Sequence, residues 1–186
     1  MGQAVTLAAR NYWDAEVYAA ERQAVFGDSW QLVASATELP RPGDALARTV
    51  AGWPLLLVRD DEGVLRAFHN VCRHRAGPLL WDGHREHCRS LRCKYHGWQY
   101  DLQGQLKRTP GYGAEVEPTS LFALACEEWR GFVFVHLAGE AAPPLVPWLG
   151  DFVAAAAHVD FESLRFESTA RHELACNWKT YVENYL

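Results

Sequence analysis

The sequence predicts a mainly β chain, and three observations carry that prediction. Between Trp30 and Leu137, short runs of Val, Leu, Ala and aromatic residues are punctuated by Gly, Pro and Asp clusters. One of these runs, WPLLLV at 53–58, is apolar throughout, as a strand covered on both faces must be. Helical spacing is confined to the two ends of the chain. Many short strands with such turns point to a small sandwich or barrel-like domain over residues 29–138. A helical segment, 1–28, precedes it, and a segment that opens with a linker, 139–186, follows.

In order, a short polar tail leads into DAEVYAAERQAVFG, which predicts one amphipathic helix. Asp14 can cap it, Val17, Tyr18, Ala20, Ala24 and Val25 recur at roughly helical spacing, and Gly27 can stop it. WQLVASA (30–36) reads as a strand, Pro40 to Gly43 as a turn, and LARTVA (46–51) and WPLLLV as two further strands. DDEG (60–63) turns the chain into VLRAFHNV (64–71), a strand that delivers the backbone to Cys72. RSLRCK (89–94) leads to Cys93, WQYDL and QLKR flank Gln103 and Gly104 as a hairpin, and GFVFVHL (131–137) closes the set. AGEAAPPLVP (138–147) is a linker; WLGDFVAAAAHV (148–159) predicts a helix, LRFESTARHELA (164–175) a long alternating strand, and CNWKTYVENYL (176–186) a helix capped by Asn177.

The chemistry concentrates between Cys72 and Trp98. Cys72 and His74 stand one residue apart, Cys93 and His96 two apart, and 18 residues, Arg75 to Arg92, separate the clusters. Each cluster offers one thiolate and one imidazole. A Rieske centre needs that mixture, because two Cys hold one iron of a 2Fe-2S cluster and two His hold the other. A structural zinc site uses the same residue types, usually paired like with like as C-x(2-4)-C and H-x(3-5)-H, and stands as the alternative.

CRHRAGPL and CKYHGWQYDLQG resemble the two cluster-binding loops of the Rieske non-haem iron oxygenases, in particular the alpha subunits of aromatic ring-hydroxylating oxygenases. The resemblance implies that Cys72, His74, Cys93 and His96 are both the metal ligands and the cofactor-binding residues. High-potential Rieske proteins add a disulfide between the loops and a Ser hydroxyl on a cluster sulfur; Gly77, Tyr95 and Trp98 stand at the corresponding positions here. Tyr100 remains as a donor to sulfur. Fewer such hydrogen bonds place the expected potential towards the bottom of the Rieske range, about -150 mV. Gly77, Pro78 and Gly97 let the loops turn tightly, and Trp81 and Trp98 are candidates for shielding the cluster from water.

NWKTYVENYL is similar to the NWKxxxEN segment that opens the helix bearing the family's mononuclear iron ligands. The resemblance implies that the Rieske domain is followed by the first strand and helix of an α+β, helix-grip-like catalytic domain. It makes the chain an N-terminal fragment of an oxygenase alpha subunit. Asn184 matches an Asn near that iron, but the Fe(II) ligands lie past Leu186, so no catalytic residue is carried over and the mononuclear Fe(II) is expected only in the full-length protein. By the same resemblance, an NAD(P)H-dependent reductase or ferredoxin reduces the cluster. Electrons pass singly to the Fe(II), where oxygen is activated to hydroxylate an aromatic or other small organic substrate. A homotrimer or alpha/beta hexamer is the implied assembly. Two alternatives accompany this reading: a stand-alone Rieske ferredoxin, and an oxygenase of quaternary ammonium compounds such as choline or carnitine, which ENYL resembles.

Composition sets outer bounds. Acidic residues exceed basic ones by 23 to 18 with no basic block, which disfavours nucleic acid and anionic membrane as partners. No apolar run approaches the roughly 20 residues of a membrane helix, and the N-terminus lacks the pattern of a secretory signal, so a cytoplasmic location is expected. Cys88, Cys126 and Cys176 are expected to be reduced thiols; His84 and His87, between the ligand pairs, are expected to be exposed loop residues.

Overall fold

The computed structural model describes residues 7–112, 117 and 119–185; the first six residues of the polar tail and Leu186 lie outside them. Helix α1 (Arg10–Trp13) ends at Asp14, whose carboxylate accepts from the backbone N–H of Glu16 at 2.9 Å and of Val17 at 3.3 Å and so starts α2 (Ala15–Glu21). A wider π-helical turn over Arg22–Gly27 completes the helix expected from Asp14 to Gly27.

Strands β1 (Gln31–Ser35), β2 (Asp44–Val50), β3 (Trp53–Arg59), β4 (Leu65–His69) and β5 (Arg85–His87) belong to one antiparallel sheet. A smaller sheet of β6 (Leu91–Arg92), β7 (Gln99–Tyr100) and β8 (Leu106–Arg108) follows, in that spatial order. Strands β9 (Ala123–Trp129) and β10 (Phe132–His136) return to the first sheet, whose order is β1-β10-β9-β4-β3-β2-β5.

The turns form for the reasons their residues supply. Asp60 Oδ1 accepts from the N–H of Glu62 and Val64, and Gly63 takes a φ of 80°, folding β3 back onto β4. Asp101 does the same for the N–H of Gln103 and Gln105. There Gly104 is obligatory: a Cβ would lie 2.6 Å from Phe68 Cε1.

Strand β3 is covered on both faces, as its unbroken apolar run requires. Leu55 and Leu57 join a core with Leu46, Ala67, Val133 and Val135. Leu56 and Val58 join another, with Phe68, Leu79, Leu91, Tyr100 and the two cysteines Cys72 and Cys93. That second core lies between the two sheets and is the floor of the ligand loops.

Four elements depart from expectation, the first being β5, which pairs His87, expected in a loop, with Asp44 of β2. Strand β9 was not predicted: Arg130 and Gly131, with φ of 50° and 84°, are a two-residue hairpin turn that pairs it with β10. The expected helix over 148–159 is instead α3 (Leu145–Leu149) and α4 (Phe152–Ala155), broken where Gly150 takes a φ of 53°. The expected strand over 164–175 does not form. Its alternation needs an edge to pair with, and among the described residues its hydrogen bonds to the β domain involve side chains: Thr37 Oγ1 accepts from Phe166 N at 2.9 Å, and Arg171 reaches Asp82. Helix α5 (Trp178–Glu183) does form, and Asn177 caps it by accepting from Lys179 N at 3.1 Å.

Helix α5 lies against the N-terminal helix. Lys179, 7% exposed, places Nζ 2.7 and 2.5 Å from the two oxygens of Glu21; Trp178 Nε1 donates to the same carboxylate, and its ring meets Phe26 edge-on.

Candidate metal centre

The two sheets each contribute one ligand loop. The first leaves β4 and is closed by Cys72 N donating to Gly77 O at 2.8 Å and Ala76 N to Cys72 O at 2.9 Å. The second joins β6 to β7, closed by Cys93 N donating to Trp98 O at 2.8 Å and Gly97 N to Cys93 O at 3.2 Å, with Gly97 at a φ of 74°. Lys94 N donates to Pro78 O across the gap at 3.0 Å. The loops approach so closely that a Cβ on Gly77 would lie 2.9 Å from Tyr95 Cβ and 3.2 Å from Cys93 Sγ.

This brings the four expected ligands together. Cys72 and Cys93 are buried side by side, and His74 and His96 are half-buried, with ring centroids 4.6 Å apart. Burial pushes the Cys72 thiol up; the Tyr100 hydroxyl pulls against it, and neighbouring Cys93 adds to the rise. Burial disfavours the Cys72 thiolate, so a cation at its sulfur would be what holds it in that form. On the imidazoles, the Nδ1 atoms of both His74 and His96 are buried without a hydrogen-bond partner. Buried polar atoms are rarely left so; a metal bound at each Nδ1 accounts for both. Burial, then His96 and Arg75, hold the His74 imidazole below its usual range, in the neutral form that ligates.

The donor set fits a diiron cluster better than a single ion. Among the described residues no group of three or more His, Cys, Asp or Glu side chains is placed to hold one metal ion, as a structural zinc requires. A 2Fe-2S unit asks instead for a pair of thiolates and a separate pair of imidazoles.

Surrounding side chains complete the site. Tyr100 Oη lies 3.2 Å from Cys72 Sγ and accepts from Arg73 N at 3.1 Å, so its own proton is free to go to the sulfur. Trp98 is buried and stacks on His74, with 4.8 Å between ring centroids and 9° between the planes. Trp81 is 56% exposed. Arg73 packs over Phe122 and donates to Ser120 O.

His87 bonds Asp44 at 2.9 Å, and burial, reinforced by Glu86, pushes the Cys88 thiol up to about 11; neither joins the centre. Asn184 is exposed at the C-terminal end of α5. Two residues had no sequence signal. Asn70 is buried beneath the first loop, where its side chain bonds Leu79 N, Leu80 N and Leu80 O. Tyr112 Oη lies 2.7 Å from His74 Nε2.

Residues 29–124 match the model of the Rieske [2Fe-2S] domain. The carnitine monooxygenase oxygenase subunit of Acinetobacter pittii is 33% identical over 94% of this chain and 48% of its own length. The glycine betaine monooxygenase oxygenase subunit of Chromohalobacter salexigens is 32% identical over 93% of this chain and 39% of its own. A crystal structure of a quaternary ammonium Rieske monooxygenase in complex with L-carnitine superposes with a TM-score of 0.83 at 31% identity, covering 92% of this chain and 50% of that one. The chain thus spans about half the length, or less, of the relatives it matches. Paired thiols and paired imidazoles on two facing loops, within a segment that matches over 29–124, place the chain in the Rieske [2Fe-2S] domain family, alongside oxygenase subunits of Rieske oxygenases.

Proposed function

We propose that Cys72 and Cys93 hold one iron of a 2Fe-2S cluster and His74 and His96 the other, and that this domain relays electrons within an oxygenase acting on a quaternary ammonium compound. The observation that carries the assignment is the pair of buried, unpartnered Nδ1 atoms beside two buried thiols. When bound, a cluster with this ligand set takes up and releases one electron.

The chain's own residues supply the rest. The cysteines sit in the apolar floor, where Leu79, Leu91 and Trp98 exclude water. Tyr100 donates to the Cys72 sulfur, and the half-buried imidazoles bring the opposite side of the centre to the surface, where a partner can approach. An NAD(P)H-dependent reductase or ferredoxin is the proposed donor, and a mononuclear Fe(II) in a full-length, oligomeric form the acceptor. The proposed domain limits are 1–28, 29–138 and 139–186, with a cytoplasmic location; no helix among the described residues is long and apolar enough to cross a membrane.

The quaternary ammonium reading is preferred to the aromatic one because the relatives named above are monooxygenases of carnitine and glycine betaine. A stand-alone ferredoxin is disfavoured because the similarity to those relatives extends over more than nine-tenths of the chain, well past residue 138.

Iron and acid-labile sulfide analysis, with the EPR spectrum of the reduced protein, tests the ligand assignment. Equal amounts of iron and sulfide and a Rieske spectrum are expected; one zinc and no sulfide would reject it. Oxygen uptake by a full-length form supplied with a reductase tests the substrate class. Stimulation by an aromatic hydrocarbon and none by a trimethylammonium compound would overturn that part.

A further inference from the structure

The two imidazoles are held differently. Tyr112 Oη lies 2.7 Å from His74 Nε2, and the Tyr112 ring meets the His74 ring edge-on at 5.0 Å. Trp98 covers one face of His74 and meets Tyr112 edge-on at 5.8 Å, so the imidazole is gripped by two aromatic residues from different parts of the chain. On the other side, the neighbour of His96 is the ring of Tyr95, 3.7 Å away between centroids. Among the described residues, no hydrogen bond at His96 Nε2 matches the one between His74 Nε2 and Tyr112 Oη.

We propose that Tyr112 is a positioning residue that lowers the reduction potential of the centre by acting through His74. The inference rests on the reading of His74 as a cluster ligand. With the buried Nδ1 committed to metal, the neutral ring carries its proton on Nε2, so Nε2–H donates and the Tyr112 oxygen accepts. An acceptor on the outer nitrogen of a ligating histidine fixes its orientation and raises its basicity. A more basic ligand favours the oxidised state, which carries more positive charge on iron. Tyr100 acts in the opposite sense at the far iron: it donates to the Cys72 sulfur and favours the reduced state. Two tyrosines, one an acceptor on imidazole and one a donor to thiolate, bias the same couple in opposite directions.

The test is a redox titration at fixed pH on the iron-loaded protein, followed by EPR, for wild type, Tyr112→Phe and Tyr95→Phe. Tyr112→Phe is expected to keep the Rieske spectrum and to favour reduction severalfold, up to tenfold, the upper figure corresponding to a rise of about 59 mV for a one-electron couple. Tyr95→Phe, which removes a hydroxyl beside the other imidazole, is expected to leave the potential unchanged. Replacement of Tyr112 by 3-fluorotyrosine keeps the side chain's shape while weakening its oxygen as an acceptor. It should shift the potential upward by a smaller amount, which covers the case in which the Phe variant fails to load.

A loaded Tyr112→Phe or fluorotyrosine protein with the wild-type potential, or with a lower one, would overturn the role of Tyr112 and leave the ligand assignment standing. Absence of a Rieske spectrum in the wild type would overturn both.

Discussion

Asn70→Ala removes the post that holds up the first ligand loop. The Asn70 side chain donates to Leu80 O at 2.7 Å and accepts from Leu79 N at 3.0 Å and Leu80 N at 3.2 Å, and all three residues are buried. Alanine leaves two N–H groups and one carbonyl without partners. Each such group costs about 1–3 kcal/mol when water cannot reach it. The three share one loop and relax together, so the expected loss is about 3–5 kcal/mol, short of the full sum.

Against a typical stability of about 5–15 kcal/mol, that is a substantial fraction. With a urea slope of about 2 kcal/mol per molar, the unfolding midpoint falls by about 2 M, and iron content falls with it because Cys72 and His74 lie on the same loop. Asn70→Asp is expected to do no better: the carboxylate still accepts from the two N–H groups but faces Leu80 O without a donor. A midpoint within about 0.5 M of wild type, with full iron content, would refute the reasoning.

Three further outcomes are expected. Gly77→Ala forces a Cβ to 2.9 Å from Tyr95 Cβ, an atom that cannot move without its backbone, so the loops part; about 1–3 kcal/mol of stability and most of the bound iron are lost, as read by unfolding and metal analysis. Glu21→Leu strands the Lys179 ammonium and the Trp178 N–H, and costs about 2–3 kcal/mol after allowance for partial exposure of Glu21, whereas Glu21→Leu with Lys179→Met recovers most of it; a double variant no more stable than the single one contradicts this account. At Asp60, burial opposes ionisation, but Arg66 at 2.6 Å and the N–H groups of Val64 and Glu62 outweigh it and hold the carboxyl below its usual range. Its contribution is therefore complete above about pH 4 and is lost as pH falls through the depressed native value, so the stability gap between wild type and Asp60→Asn narrows in acid; a gap constant from pH 7 down to 3 sinks it.

What could be read from the chain alone follows a physical divide. The Cys72–His74 and Cys93–His96 pairs, proposed above as ligands, stand out in the sequence because a ligand pair must be local to sit on one short loop. Asp14, Asn177 and the Asp60 turn were legible because a cap or an Asx turn bonds its own neighbours. Tyr112 and Asn70 were not, since each matters through a contact that only the folded chain creates: Tyr112 stands 38 positions after His74, and Asn70 looks like any strand-end residue until Leu79 and Leu80 close over it. The strand expected over 164–175 failed for a related reason. Alternation reports which residues would face a sheet, and says nothing of whether an edge is there to receive them.

The same divide explains how the centre is held. Each loop closes on its own backbone, Cys72 N to Gly77 O and Cys93 N to Trp98 O, so each brings a local ligand pair into shape. Their meeting depends on contacts between sheets: Lys94 N to Pro78 O, the space left by Gly77, and a core in which Leu56 and Phe68 of the large sheet pack with Leu91 and Tyr100 of the small one. A change that loosens that core is therefore expected to separate one Cys–His pair from the other before it disturbs either loop. On the proposed ligand assignment, retention of iron reports packing between the sheets, and a core variant such as Leu56→Ala, costing about 2–5 kcal/mol, should release iron at urea concentrations where the seven-stranded sheet is still folded. Loss of iron and loss of strand signal at a single midpoint would show instead that the small sheet cannot detach on its own.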